Sequence, residues 1–295
     1  MRAGRVNPPC DLKVRFFKPP DDLAGCFSVV YRADLVVEED GRIEDVLLPE
    51  WTNIRIFRGT YPIASLPDGE VSGDARLVAT GPTTHGTMFS LGTTRMWGVG
   101  LFPEGLARLT DLHADHVANT ICDAEESPAH ASIAGLADHV LSCEPDDDCE
   151  SEAIFQFFRE RLKPVRHLEQ IRQIHRALLA EQSANAGHLA DEAGLGRRHL
   201  ERLGKRYFGF TPKALLRRQR FVRTLSTFVL QRPVLWTAAM DSDYYDQAQF
   251  TREFREFMDM TPQQFAAMPH PIQDVFMVER AKLWGSPAQA LDLPD

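Results

Sequence analysis

Gln247–Phe257 reads Gln-Ala-Gln-Phe-Thr-Arg-Glu-Phe-Arg-Glu-Phe, and its chemistry divides by helical period. Phe250, Phe254 and Phe257 recur at i, i+4 and i+7, the spacing of one apolar helix face. Gln247, Gln249, Arg252 and Arg255 fall elsewhere on the same helix. A fork-shaped guanidinium pairs with guanine, a glutamine amide with adenine, and a methyl such as that of Ala248 with thymine. A second stretch, Arg197 to Tyr207, offers Arg198, Glu201 and Arg202 in the same way. Arg197, Lys205, Arg206 and Arg255 suit phosphates, which position a protein on DNA without reading sequence.

The elements that position these side chains repeat. Leu200, Arg202, Thr211 and Pro212 recur fifty residues later as Phe250, Arg252, Thr261 and Pro262. Threonine caps a helix start and proline fits the first turn, so each copy reads as helix, turn, helix, then a newly capped helix. Ala186 to Glu192 and Val234 to Met240 are the expected positioning helices, and His167 to Glu181 an opening helix. A long helix from Pro212 to about Leu230, with Arg217, Arg218, Arg220 and Arg223 as its basic residues, should set the distance between the two readers.

Over 166–268 the chain resembles the AraC/XylS family of bacterial transcription regulators, which carry two helix-turn-helix motifs joined by a long helix. The resemblance rests on Ala190, Gly194, Leu200 and Thr211-Pro212 in the first copy. In the second it rests on Ala239, Tyr244-Tyr245-Asp246-Gln247, Phe250, Arg252, Phe254 and Thr261-Pro262. It implies base contacts for Arg198, Glu201 and Arg202, and for Gln247, Ala248, Gln249 and Arg252. Departures fall at Gly196, in place of a capping serine, and at Gly204, in place of an aromatic. Each costs up to about 1 kcal/mol, which makes the first copy the softer reader. Asp243 and Asp259 replace turn glycines and are expected to tolerate left-handed backbone.

Charge follows the same division. Residues 1–165 hold 15 basic and 27 acidic side chains, 166–268 hold 16 and 11, and 269–295 hold 2 and 4, within a net charge of −9. A basic segment on an acidic chain confines any nucleic-acid footprint to 166–268. Cys10, Cys26, Cys122, Cys143 and Cys149 lack zinc-ligand spacing, and their scatter fits a reduced, cytoplasmic protein. No run reaches the length of a membrane span and no apolar leader opens the chain.

Upstream, 1 to about 20 reads as an irregular arm. Short strands are expected at Phe27 to Val37, Glu44 to Leu48, Asn53 to Phe57, Ala75 to Ala79, Thr87 to Leu91 and Met96 to Phe102. Helices follow at Leu106 to Leu112, Ser132 to Ser142 and Glu152 to Leu162. Asn53 to Phe57 alternates like a half-buried strand. Gly100-Leu101-Phe102-Pro103-Glu104-Gly105 and Leu48-Pro49-Glu50 resemble the sensor half of some AraC-like regulators, which implies a β-rich, cupin-like ligand-binding fold. The acidic run Glu144 to Glu150 reads as a solvated loop.

Chemistry of other kinds has little to stand on. In the run Asp111 to His116, His113 and His116 stand three apart and could face together on a helix, but no third ligand lies at a recognisable distance, so a surface helix is expected. His85 could line a pocket; His175 and His199 read as structural or surface residues. No nucleophile–base constellation or phosphate-cradling glycine loop occurs, so no enzyme and no cofactor are expected.

The fold class is therefore α+β, a β-rich sandwich or cupin-like domain at 1–163, an all-α domain with two helix-turn-helix motifs at 166–268, and a tail at 269–295 holding a short helix, Ile272 to Leu283. The expected function is a transcription regulator that binds double-stranded DNA and answers to a small-molecule effector. RNA polymerase and a second copy of the chain are further partners that the resemblance leaves open. The alternative is a ligand-binding or interaction protein whose helix-turn-helix pair no longer reads DNA.

Overall fold

Alternation builds the first half. The computed structural model describes residues 7–66, 69–142, 144–179, 185–231 and 236–284. Strands β1 (Cys10–Phe16), β2 (Phe27–Val37), β9 (Thr94–Leu101), β4 (Asn53–Gly59), β7 (Leu77–Thr80) and β10 (Ile121–Asp123) pair in that order into one antiparallel sheet. Strands β3 (Ile43–Leu47), β8 (Thr87–Leu91), β5 (Ile63–Leu66) and β6 (Gly69–Ser72) form a second. The arm expected near the N-terminus is instead β1, in which Leu12, Val14 and Phe16 alternate with more exposed Asp11, Lys13 and Arg15.

The two sheets enclose a core containing Tyr31, Leu35, Phe57, Ile43, Leu66 and Leu91. The other face of the larger sheet is covered by α1 (Pro103–Leu109), α3 (Leu136–Leu141) and α4 (Asp147–Arg159), through Leu106, Val140, Ile154 and Phe158. Strand β4 therefore lies between two buried layers and is not half-solvated as its alternation suggested. Ile54 and Ile56 face the helices, while Asn53, Arg55 and Phe57 face the space between the sheets.

Only the first part of the acidic run is a solvated loop: Glu144 to Asp146 are exposed, whereas Asp147 to Glu150 form the first turn of α4. Asp146 caps α4 by accepting from Asp148 N at 3.1 Å and Cys149 N at 2.8 Å, as an N-cap carboxylate does. Asp147 accepts from Arg32 Nη2 at 3.2 Å and from Arg95 Nη2 at 2.9 Å. Glu150, with 1% of its side chain exposed, takes Arg95 Nη2 at 2.5 Å and Trp97 Nε1 at 3.0 Å. These bonds tie α4 to the sheet. Cys10, Cys26 and Cys122 are free thiols, but Cys149 is disulfide-bonded, which corrects the expectation of a fully reduced chain; Cys143 lies outside the described residues.

The second half is helical: α5 (Leu168–Leu179), α6 (Ala186–Glu192), α7 (Arg197–Phe208), α8 (Pro212–Gln231), α9 (Gln247–Met258), α10 (Pro262–Ala267) and α11 (Gln273–Trp284). Of the expected helix at Val234 to Met240, the described part is one 3-10 turn, Trp236–Ala238. The apolar clusters cross between the halves. Trp51 and Phe102 join the core of α5 to α8, Val46 and Leu48 join that of α8 to α10, and Ile272 joins the core between the sheets, with Phe276 packed against it. No helix among the described residues is long and apolar enough to cross a membrane.

Candidate nucleic-acid interface

Each reading helix has ends that its sequence explains. At the N-terminus of α9 the Asp246 carboxylate accepts from Gln249 N at 2.6 Å, and the Gln249 Oε1 accepts from Tyr245 N at 2.9 Å. At its C-terminus Asp259 adopts left-handed backbone, φ 53°, as expected of a glycine substitute. Asp243 does not; its N–H donates to Asp241 Oδ1 at 3.0 Å in a local side-chain turn. Thr261 and Gln264 close a reciprocal capping box on α10, and Thr211 Oγ1 accepts from Ala214 N at 3.3 Å at the start of α8.

In the first copy Gly194 takes the turn at φ 62°, and Gly196 leaves α7 without a side-chain cap. Gly204 has a packing reason. A β-carbon there would stand 3.0 Å from the Phe210 carbonyl, so the glycine lets α7 and the chain entering α8 approach closely. A side chain at this position would press on that carbonyl, while Gly196 leaves the start of α7 uncapped.

Leu200, Leu203, Phe250, Phe254 and Phe257 are buried, and the polar face remains outside. Arg197, Arg198, Glu201, Arg202, Lys205 and Arg206 are exposed on α7; Gln247, Ala248, Arg252 and Arg255 are exposed on α9. Gln249 is half-buried, its amide oxygen engaged in the cap. Glu201 stands 3.5 Å from Lys205, one turn away. Among the described residues no carboxylate pairs with Arg197, Arg198, Arg202, Arg252 or Arg255.

The basic residues of α8 behave differently. Arg217 Nε and Arg220 Nη2 donate to Glu253 Oε1 at 2.8 and 2.7 Å, Arg217 Nη2 reaches Glu256 at 2.6 Å, and Arg223 Nε reaches Asp241 at 2.6 Å. They fasten α9 and its preceding turn to α8. Hydrogen bonds that Arg217 donates to the Glu256 and Glu253 carboxylates raise the pKa of its guanidinium against the opposing effect of burial. Arg218, one of the four arginines read from sequence on the long helix, is 1% exposed. Its Nε donates to the Thr83 carbonyl at 2.8 Å, its Nη2 to that of Pro49 at 3.3 Å, and its guanidinium lies 4.1 Å from the Trp51 ring centroid. Leu215, Val222 and Leu225 flank it at i−3, i+4 and i+7, so the apolar face of α8 already contained the signal of its burial.

Both readers also touch the β-rich half. Gly86 N donates to the Phe257 carbonyl at 2.7 Å, and the α2 turn (Ala114–Val117) packs on α7. His85 lines no cavity among those described, but stands against Phe257 with ring centroids 6.2 Å apart. His175 is buried among Trp51, Phe102 and Phe208, as a structural histidine. His113, Asp115 and His116 bring one ligand atom each within 4.8 Å of one another, with the last two exposed.

Sequence reading missed a cavity of ≈ 120 Å³ between the sheets, lined by Asn53, Arg55 and Thr87 and closed by Arg218 of α8 and Phe276 and Arg280 of α11. Arg55 Nη2 donates to both Glu50 oxygens at 2.8 Å, and its Nε to the Tyr31 hydroxyl at 3.3 Å. Burial opposes the Arg55 charge, yet Glu50 and Tyr31 outweigh it and raise the pKa.

Residues 189–268 match the family model of a helix-turn-helix domain. The resemblance of this segment to AraC-type helix-turn-helix domains stands with that match. No curated protein sequence matches the chain. Among solved structures, an apo ToxT variant from Vibrio cholerae strain SCE256 is similar at 12% identity over 90% of this chain and 99% of its own, TM-score 0.43. Wild-type ToxT of the same strain, bound to an unsaturated fatty acid, is similar at 12% identity over 91% and 98%, TM-score 0.41. The AraC-like transcriptional activator CuxR is similar at 12% identity over 79% and 89%, TM-score 0.29.

Proposed function

We propose that the chain is a sequence-specific regulator of transcription built from a sensor half at 1–163, a DNA-binding unit at 166–268 and a tail at 269–295. Helices α7 and α9 enter successive major grooves about one helical turn apart. Arg198, Glu201, Arg202, Gln247, Ala248, Gln249 and Arg252 face the bases, and Arg197, Lys205, Arg206 and Arg255 the phosphates. A small effector in the cavity between the sheets biases that activity, because α8 and α11 form part of its wall.

The observation that carries this reading is the division among the arginines. Those of α8 are spent on internal carboxylates and carbonyls, whereas Arg197, Arg198, Arg202, Arg252 and Arg255 stand exposed with no carboxylate partner among the described residues. Exposed guanidiniums free of carboxylates on both reading faces suit a polyanion. Selection of the full chain on a random duplex library at two salt concentrations tests it. Enrichment of one motif with two half-sites a turn apart, weakening steeply with salt, is expected. Recovery of sequence-blind binding alone would turn the reading toward a degenerate helix-turn-helix pair.

A further inference from the structure

Two neutral side chains of the cavity wall each keep one polar atom without a hydrogen-bond partner. Asn53 is 5% exposed and Thr87 1%; both line the cavity, and neither Asn53 Oδ1 nor Thr87 Oγ1 has one. The amide orientation of Asn53 is set, since its Nδ2 donates to Glu50 Oε2 at 3.2 Å, which leaves the oxygen as a bare acceptor. Buried polar atoms are nearly always paired, so an orphaned pair in one cavity marks the place where a bound molecule supplies the missing bonds.

The charged groups there are already engaged. Arg55 holds Glu50, Arg218 holds two backbone carbonyls, and Arg280 Nη2 donates to the Ser28 carbonyl at 3.4 Å. What remains is apolar wall, including Val29, Leu48, Phe57, Phe89 and Met96. Size sets the last limit. An apolar cavity of about 150 Å³ accepts benzene, and this one has ≈ 120 Å³.

We propose that the cavity binds an uncharged, single-ring-sized apolar molecule that bears a hydroxyl or N–H donor, seated against Asn53 and Thr87 and covered by α11. This rests on the reading of the cavity as the effector site. The cover is anchored from the sensor half. Asp45 Oδ2 accepts from Ile272 N and Gln273 N, each at 2.9 Å, and Asp45 Oδ1 pairs with the His270 ring at 2.9 Å. Asp45 thus serves as a helix cap supplied from another element. Ile272, Gln273, Phe276 and Met277 then form one wall of the cavity. Because α11 follows α10 of the second reader, a ligand that holds it down restrains the DNA-binding unit as well.

The test is calorimetric titration of the full chain with phenol, with benzene as the same ring without a donor, and with a sixteen-carbon fatty acid. Phenol is expected to bind roughly tenfold tighter than benzene, the worth of about one satisfied hydrogen bond. Thr87→Val, and separately Asn53→Leu, should each remove that preference; circular dichroism checks that each variant is folded. Equal affinity for the two ring compounds, tighter binding of the fatty acid, or no binding of either ring compound would each overturn the proposal. DNA selection on the same preparation separates the two failures. Intact DNA binding with no phenol binding sinks the ligand class alone, and phenol binding without DNA binding sinks the regulator reading alone.

Discussion

Glu253→Gln asks whether α9 is held by charge or by its aromatic core. Glu253 exposes 7% of its side chain and one oxygen takes both Arg217 and Arg220, at 2.8 and 2.7 Å. Glutamine keeps the shape but removes the charge. Arg217 retains Glu256 at 2.6 Å, whereas Arg220, 15% exposed, keeps only the Asp243 carbonyl at 3.2 Å and the Tyr244 ring at 4.3 Å. One guanidinium therefore loses its carboxylate without being stranded. A hydrogen bond to a charged group is worth about 1.5–3 kcal/mol, and a fully broken buried pair about 3–5 kcal/mol. The first range applies, and a loss near 2 kcal/mol is expected in urea denaturation of the full chain. If that energy reappears as misplacement of α9, the selected operator should bind up to roughly 30-fold more weakly. Random DNA should bind as well as before or slightly better, since one negative charge is gone from beside the interface. An unchanged urea midpoint together with operator affinity within twofold of wild type would refute the reasoning. The packing of Phe254 and Phe257 on Phe221 would then suffice to place α9.

Arg202→Ala and Arg252→Ala should each weaken operator binding by about 1–3 kcal/mol and relax selectivity at one position, read by repeating the selection; equal losses on every sequence would make them phosphate contacts. His270 titrates above the ordinary imidazole value: burial opposes its charge, but Asp45, the Phe265 carbonyl and Asp274 outweigh it. The stabilisation it lends to α11 is therefore full below about pH 6.5 and lost as pH rises through the raised value. Hydrogen exchange in α11, corrected for intrinsic rate, should quicken over that rise, and Asp45→Asn should abolish the dependence. Glu150→Ala removes a carboxylate with 1% of its side chain exposed that takes Arg95 and Trp97. The cost should be about 3 kcal/mol in denaturant stability, with DNA selectivity unaltered.

Much of the helical half was legible because its signals are local. A cap depends on two or three neighbouring residues, and Thr261 and Asp246 cap as their types require. The apolar face of α9 is a periodicity of one segment, and its phenylalanines are buried as that period demands. Strands β2 and β8 fall at the expected residues for the same reason. The run from Glu144 failed because a charged stretch reads alike whether it stays wet or meets arginines. Arg32 and Arg95, which make the difference, lie on other strands of the sheet. Asn53 and Arg55 were seen as the polar side of a half-buried strand; nothing in that pentapeptide shows that a second sheet covers the polar side and leaves a cavity there.

Sequence alone thus determined most of the helices and the longer strands, though not β1, together with where the reading helices begin and end and most of the side chains on their outer faces, since each follows from periods and caps spanning a few residues. Tertiary structure decided how the arginines divide. Arg218 is buried against Trp51, Arg217 and Arg220 are spent on Glu253, and Arg202 and Arg252 remain exposed. It also decided that α11 returns from the helical half to cover a cavity between the sheets, capped by Asp45 more than two hundred residues earlier. The physical reason is range. A carboxylate or a void acts on whatever stands within a few ångströms, and only the folded chain sets that neighbour.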